Sequence, residues 1–281
     1  MACGRSWLVR GAMVVSHRSG GGGDPVPDDE ALSPEMFDEV YAQVAGAALT
    51  NQLFDQVLGP FPPGVEPFSL VPRAGLDRVL AELRLGRGDH LVDLCCGRGG
   101  IGLWFASVSG AGLTGVDFSP GAIAQARRRA GLFVPRPRAS FVVADAAGTS
   151  LPAGTADALV CIDALQLVPD PSRLLRETAR VLRPGSRAVI TTWEQHTGAP
   201  AGLPSSFSIT DAGALAEAAG LHVLVREERG DWLKQQQAFY QRAVAADSDT
   251  AEPALHLLAD EGRAMLPYLA FARRLLLVAS A

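Results

Sequence analysis

Three aspartates stand at the ends of successive apolar segments. Asp93 lies in "HLVDL", Asp117 closes "GLTGVD", and Asp145 closes "ASFVVAD". Helical patterns separate these segments, and this alternation is typical of a parallel sheet, whose strands share one carboxyl edge. We therefore expect the three carboxylates to lie side by side at that edge. Carboxylates attract a cation and accept hydrogen bonds from hydroxyl and amino groups, so the pattern favours a positively charged ligand rich in such donors.

A turn of small residues follows the first aspartate. In "CCGRGGIG", Gly97 and Gly99 permit a left-handed backbone and close approach of a ligand, and the next helix presents free N–H groups. The letters also fit G-x-G-x-x-G, a weak indication of a dinucleotide. Asp93 would repel a pyrophosphate, and Lys234, the only lysine, has no tyrosine four residues before it, as short-chain reductases require. An NAD(P)-dependent oxidoreductase is therefore the less favoured alternative.

Strand and helix patterns alternate from residue 90 onward. The predicted strands cover 90–94, 112–117, 139–145, 156–163, 187–193, 221–227 and 274–280. The predicted helices cover 73–84, 99–109, 119–130, 170–182 and 211–219, and a long helical stretch covers 231–274. These patterns predict an α/β fold with a doubly wound, Rossmann-like, mostly parallel sheet of seven strands and helical cap segments.

Composition divides the chain into five expected segments. Residues 1–32 read as a disordered leader, because "HRSGGGGDPVPDDE" offers nothing to bury. Residues 33–88 form an N-terminal helical lid that begins at Ser33-Pro34, and 89–230 form the ligand-binding core. Residues 231–273 form a helical cap insertion, and 274–281 form the final core strand.

Four stretches together resemble one family. They are "VDLCCGRGG", "GVDFSPGAIAQAR", "VVADAAGTSLPAGTADALVCIDALQLVPD" and "RETARVLRPGSRAVITTWE". In this order they resemble the motifs of class I S-adenosylmethionine-dependent methyltransferases, in the branch that acts on quinones and natural products. The likeness covers about residues 75–227. It implies S-adenosylmethionine as cofactor and an antiparallel last strand.

The resemblance also implies roles for individual residues. Asp93, Cys95, Gly97 and Gly99 would hold the methionine moiety, Asp117 the ribose, Phe118 the adenine face, and Asp145, Ala146 and Cys161 the adenine edge. Cys95 departs from the family, which usually has glycine there. Neighbouring cysteines leave a soft-metal site as a minor alternative, and small buried thiols with no metal are expected instead.

Position along the strands suggests the catalytic and acceptor-binding residues. His196 follows the fifth strand at the productive edge and is the predicted base, with an exposed loop histidine as the alternative. Asp163 and Gln166 follow the fourth strand and should border the transferred methyl group, Asp163 as a second candidate base. Acceptor binding is predicted for Tyr41, Gln166, Trp193 and Tyr240, although tyrosines on amphipathic helices also occur as core residues.

The composition limits the classes of binding partner that we expect. The net charge is -5, which argues against a nucleic-acid partner. The four cysteines have no C-x-x-C spacing, which fits a reducing cytoplasm, and no apolar run reaches the roughly 20 residues needed to span a membrane. We expect direct methyl transfer to a small, hydrophobic or aromatic metabolite, with a homodimer left open. A cyclase or a non-transferring binding protein that keeps the cofactor remains an alternative.

Overall fold

A computed structural model describes residues 32–133, 138–196, 198–200, 203, 205–249 and 251–281. Except for Leu32, the predicted leader lies outside the described residues. The strands are β1 His90–Leu94, β2 Gly112–Asp117, β3 Ala139–Val143, β4 Ala156–Ile162, β5 Leu182–Gln195, β6 His222–Glu228 and β7 Ala272–Ser280. The helices are α1 Pro34–Val44, α2 Ala48–Leu58, α3 Arg73–Leu83, α4 Gly100–Ser109, α5 Pro120–Arg129, α6 Pro171–Val181, α7 Ala212–Ala218, α8 Gly230–Ala246 and α9 Pro253–Met265. Short 3-10 turns cover Ala130–Leu132, Leu165–Leu167, Ser205–Phe207, Asp247–Asp249 and Leu266–Phe271.

The seven strands form one sheet in the order β3-β2-β1-β4-β5-β7-β6. The strands from β3 to β5 pair in parallel, and β7 runs antiparallel between β5 and β6. This confirms the predicted fold class and the antiparallel last strand. Strand order reverses between β1 and β4, so the carboxyl ends of these two strands mark the crevice where open α/β sheets bind ligands.

Local sequence explains where several helices begin. The Ser33 hydroxyl accepts a hydrogen bond from the backbone N–H of Met36, and the Ser119 hydroxyl accepts one from Ala122. Asp170 caps α6 in the same way through the N–H of Arg173. A proline follows each of the three capping residues, and its fixed φ suits the first helical position. These caps explain why α1 and α5 begin directly after Ser33 and Ser119, as predicted.

Most predicted boundaries agree with the structure to within two residues, and the larger differences concern β5 and the stretch before β7. Strand β5 begins at Leu182 rather than at residue 187, because Leu182 already pairs with Ala156. The stretch 231–274 is divided into α8, α9 and a 3-10 turn before β7 begins at Ala272. Pro253 explains the division, since proline fits the first turn of α9 and would break a continuous helix. No helix among the described residues is long and apolar enough to cross a bilayer.

The N-terminal helices and the helices before β7 pack on each other. Helix α2 has no capping side chain of its own. The carboxylate of Glu252, just before α9, instead accepts hydrogen bonds from the N–H groups of Leu49 and Thr50 at 3.0 and 2.8 Å. Phe54 of α2 also stacks on Phe239 of α8, with ring centroids 4.7 Å apart. Segments about 200 residues apart in the chain thus form one layer over the carboxyl edge of the sheet.

Gly100 marks a close approach between α4 and the crossing before α3. A Cβ atom on Gly100, the first residue of α4, would overlap the backbone carbonyl oxygen of Val65. Backbone cannot rotate away as a flexible side chain can. The crossing before α3 therefore depends on glycine at position 100.

Replacing Gly100 with alanine should lower the free energy of unfolding by about 1–3 kcal/mol, the usual cost of overpacking. Urea denaturation measures the loss. Gly131→Ala is the matched control, because a Cβ at Gly131 meets nothing within 4 Å. Equal stability of the two variants would show that the Val65 contact is not restrictive.

Candidate functional site

Two adjoining cavities lie at the carboxyl edge of the sheet. The larger encloses about 1190 Å³, its open mouth included, and is lined mainly by apolar and aromatic side chains. The smaller encloses about 440 Å³ beside the glycine-rich turn. The residues that line both are Tyr41, Phe68, Ser69, Cys95 and Ile162. The site therefore has a polar compartment and an apolar compartment with a common wall.

The glycine-rich turn forms one side of the polar compartment. Gly97 has φ +51°, and a Cβ there would lie 2.8 Å from the Tyr41 hydroxyl. Cys95 is also left-handed, with φ +57°, at the position where the related family usually has glycine. The left-handed conformation costs a non-glycine residue about 1–2 kcal/mol of conformational free energy. Its thiol is hydrogen-bonded to Cys161, and this bond with burial raises the pKa of the Cys95 thiol well above its ordinary value.

Gly99 serves a different purpose from the one predicted. Its φ is +74°, and a Cβ would meet the ring of Phe141 and the methyl of Ala126 at 2.9 and 3.0 Å. Gly99 does not line either cavity. It permits close packing of the turn against β3 and α5, so we assign it to packing rather than to ligand contact.

Asp117 lies at the tip of β2 with both carboxylate oxygens oriented. The N–H groups of Gly97 and Ser119 donate to Oδ2 and Oδ1 at 2.8 and 3.0 Å. A carboxylate offers about four lone pairs, so each oxygen can accept one more hydrogen bond. Phe118, Asp145 and Ala146 line the apolar cavity with Asp117. These four predicted residues therefore come together at the tips of β2 and β3.

Asp93 is a buried carboxyl group in the wall of the polar compartment. It is 4% exposed, and burial together with the nearby charge of Asp117 raises its pKa to about 8, against a smaller opposite effect of the Gly102 N–H. A cation beside the Asp93 carboxyl group would favour its ionised form and offset the charge of Asp117. The polar compartment is thus suited to a positively charged group.

An anion-binding group lies across the same compartment. Arg98 is 5% exposed and forms an ion pair with Glu66, and its Nε has no hydrogen-bond partner among the described residues. Arg129 lies beside it and donates to the carbonyl of Arg98. Arg98 and Asp93 line the same small cavity, and a buried guanidinium together with a buried carboxyl group fits a ligand that carries both a carboxylate and an ammonium.

Asp163 lines the apolar cavity, and its oxygens are fully committed to protein donors. Oδ1 accepts from Thr191 and Arg274 at 2.9 and 2.7 Å. Oδ2 accepts from Ser69, the Leu70 N–H and Arg274 at 3.0, 3.2 and 2.8 Å. A carboxylate saturated in this way has little capacity to remove a proton. We therefore correct its predicted role from base to anchor.

Gln166 is fixed by the same group of residues. Its amide nitrogen donates to the Asp163 carbonyl at 2.8 Å, and its oxygen accepts from Thr192 at 3.0 Å. The residue is 5% exposed and still lines the apolar cavity. Its orientation is thus set by the protein.

Besides Gly99, two further predicted residues line neither cavity. His196 is exposed beyond β5 and lines neither cavity. Its backbone N–H donates to the carbonyl of Phe271. Cys161 is fully buried within β4. The geometry therefore gives no support to His196 as the base. Among the described residues, no cluster of three or more histidine, cysteine or acidic groups could hold a metal ion.

The far wall of the apolar cavity contains an acidic residue that the sequence analysis missed. Trp193, Tyr240 and Tyr41 line the cavity, and so does Glu261 of α9. Glu261 is 6% exposed, and its Oε1 accepts a hydrogen bond from the Tyr240 hydroxyl at 2.5 Å. A signal was present, because Glu261 falls on the buried stripe of α9 between Leu258 and Met265, where an apolar residue is expected.

The Asp163–Arg274 pair generates a stability prediction. Arg274 is fully buried, so Asp163→Asn leaves its charge uncompensated and should lower the free energy of unfolding by about 3–5 kcal/mol. Asp77→Asn removes an exposed ion pair with Arg73 and should change it by less than about 1 kcal/mol. Chemical denaturation compares the two variants. Equal effects would show that the buried pair is not a structural anchor.

Comparison with known proteins agrees with this site. Residues 91–185 match the profile of the methyltransferase domain family. The 27-O-demethylrifamycin SV methyltransferase of Amycolatopsis mediterranei is 32% identical over 114 residues, which are 41% of this chain and 42% of that protein. The chain spans about half the length of the curated relatives it matches.

Solved structures share the fold. Phosphoethanolamine N-methyltransferase 2 of Haemonchus contortus, determined with S-adenosylhomocysteine, superposes with a TM-score of 0.70 at 18% identity, over 89% of this chain and 60% of that one. The [4+2]-cyclase SpnF superposes with a TM-score of 0.65 at 22% identity, over 92% of this chain and 98% of that one. The matched profile, together with the sheet order, shows that residues 91–185 form part of a methyltransferase domain.

Proposed function

We propose that the protein transfers the methyl group of S-adenosylmethionine to a small, largely apolar acceptor. One observation carries the proposal. The polar compartment and the apolar compartment share a wall at Cys95, Ser69 and Ile162. A cofactor that spans this wall brings a charged amino-acid end to one compartment and its reactive carbon toward the other.

The chain's residues fit this cofactor. Asp93 is suited to its ammonium and Arg98 to its carboxylate, because they face one small cavity with opposite charge. Asp117 retains one lone pair on each oxygen for the two ribose hydroxyls. Phe118 and Asp145 line the neighbouring cavity where an adenine would stack and donate its amino group. Tyr41 contacts the bare backbone at Gly97, so we assign it to the cofactor side of the wall rather than to the acceptor.

When bound, the cofactor supplies an electrophilic methyl carbon. The protein's contribution is alignment, which can be worth about 7–11 kcal/mol for a well-oriented displacement. The Asp163 anchor holds Ser69, Leu70 and Arg274 around the shared wall. Trp193 and Tyr240 limit the space left for the acceptor.

The acceptor is proposed to be a hydrophobic or aromatic small molecule, because aromatic side chains dominate the larger cavity. The relative named for rifamycin chemistry supports a natural-product acceptor. The net charge of -5 supports a small-molecule partner over nucleic acid. The free thiols of Cys95, Cys96 and Cys161 support a reducing cytoplasm, and a homodimer stays an open expectation.

A second function has one observation in its favour. The likeness to SpnF covers 98% of that cyclase, so an enzyme that keeps the cofactor without methyl transfer is the competing proposal. Formation of S-adenosylhomocysteine separates the two, since only transfer produces it.

Incubation with methyl-labelled S-adenosylmethionine and a pool of bacterial metabolites should transfer label to a small molecule and release S-adenosylhomocysteine.

Asp117→Ala should weaken cofactor affinity about a hundredfold in calorimetry, because two charge-assisted hydrogen bonds are lost. Asp77→Ala on α3 should bind normally. An unchanged affinity for Asp117→Ala, or binding of NADH in place of the cofactor, would refute the proposed binding mode.

Cofactor binding should release a proton. The pKa of Asp93 is raised to about 8, so the group is largely protonated at pH 7 in the free protein. A bound ammonium favours the carboxylate and lowers that pKa. Calorimetry of S-adenosylhomocysteine at pH about 7, in buffers of different ionisation enthalpy, should show close to one proton released. A binding enthalpy independent of the buffer would contradict the role given to Asp93.

A further inference from the structure

Glu261 is a buried acid in the wall of the apolar compartment, and one of its oxygens has no protein donor among the described residues. Its Oε1 accepts from Tyr240, and no ion pair or further hydrogen bond of Glu261 occurs among the described residues. Its side chain is nevertheless buried beside Leu258 in a wall built of α8 and α9. Burying a carboxyl group without a cation is costly, and such a group in a cavity wall is a candidate for function.

The other acids of this cavity have assigned partners. Asp163 is held by Arg274 and three further donors. Asp117 is oriented by two backbone N–H groups, and Asp145 is exposed at the tip of β3 and accepts from the Ala147 N–H. Glu261 stands apart from these three, on α9 beside Tyr240 of α8.

We propose that the acceptor carries a hydroxyl group on a ring-containing apolar framework, and that Glu261 Oε2 receives the hydroxyl proton during methyl transfer. Tyr240 is the positioning residue that holds Oε1. This inference rests on the proposed methyl transfer. It is specific to a hydroxyl, because a neutral amine can attack the methyl carbon without prior loss of a proton, whereas a hydroxyl oxygen becomes a strongly acidic oxonium unless a base is present.

The proposed step balances in atoms and charge. A lone pair of the acceptor oxygen forms the new C–O bond, and the C–S bond breaks with its electron pair left on sulfur. The O–H proton moves to Glu261, which becomes a neutral carboxylic acid. A sulfonium and a carboxylate are thus replaced by a thioether and a carboxylic acid. Loss of two opposite charges is favoured in an apolar cavity more than in water, because the cavity solvates charge poorly.

Burial raises the pKa of Glu261 to about 7, with the Tyr240 hydroxyl acting in the opposite direction. This value suits a base at neutral pH. The titratable group in contact with it is Tyr240 on α8, and the charge of Arg274 on β7 acts on Tyr240 in turn. The charge of Arg274 is balanced by Asp163, and α2 faces α9 with Leu53 and Phe54.

The test uses three matched probes on the full chain: 2-hydroxyanthraquinone, 2-aminoanthraquinone and anthraquinone. In the presence of S-adenosylhomocysteine, the wild-type protein should bind the hydroxyl probe at least tenfold more tightly than anthraquinone. Glu261→Gln should reduce that preference to within about twofold, and Asp260→Asn, an exposed acid on the same helix, should retain it. Absence of the preference in the wild type, or its survival in Glu261→Gln, overturns the inference.

Turnover of the hydroxyl probe supplies the second measurement. Glu261→Gln should lower kcat about 10²–10⁴-fold, the usual contribution of a general base, with unchanged affinity for S-adenosylhomocysteine showing an intact fold. The wild-type kcat/KM should rise with pH through about 7, and Tyr240→Phe should move that rise to higher pH, because a donor to the carboxylate is lost. If the amino probe is methylated in preference to the hydroxyl probe and Glu261→Gln does not change this, only the inference about Glu261 is overturned and methyl transfer stands. If the cofactor binds but neither a probe nor a metabolite is methylated, the proposed methyl transfer and the inference about Glu261 both fail.

Discussion

A single buried ion pair connects the parts of the chain that surround the site. Asp163 lies directly after β4, Arg274 lies on β7, and the same carboxylate also holds Ser69 and Leu70 from the crossing before α3. Such pairs contribute little net stability compared with apolar packing, but they allow very few alternative arrangements. Asp163 has φ +51°, a strained conformation that the surrounding donors maintain. The shape of the shared wall therefore depends on this carboxylate more than on any ligand contact.

Electrostatics divides the site along that wall. On one side, the charge of Asp117 disfavours ionisation of the buried Asp93 carboxyl group, and Arg98 supplies the complementary charge. On the other side, aromatic rings line the larger cavity, and Glu261 is the acid on its α9 wall. A cationic centre placed at the wall is stabilised from the polar side and faces little competing solvation on the apolar side. This asymmetry arises where the strand tips of the sheet meet the one helical layer above them.

Local patterns predicted the sheet well, because strand composition, helix caps and the spacing of acids are properties of short segments. Asp117 could be placed at a strand tip from its sequence neighbours alone. Contacts between distant segments were not accessible in this way. The saturation of Asp163 by Ser69 and Arg274 depends on residues far apart in sequence, and so does the burial of Glu261 against Tyr240. His196 was placed at the productive edge from strand polarity, yet polarity does not determine whether a loop side chain turns toward the cavity.

The capping of α2 by Glu252 has a consequence for biosynthesis. During translation, the N–H groups of Leu49 and Thr50 emerge long before the carboxylate that satisfies them. The central strands from β1 to β5 can pair earlier, since their partners are close in sequence. The apolar compartment, by contrast, is completed only when α9 leaves the ribosome. Until α8 and α9 have emerged, the apolar face of α2 lacks its partners, whereas α1 can already pack on Phe118 and Ala122.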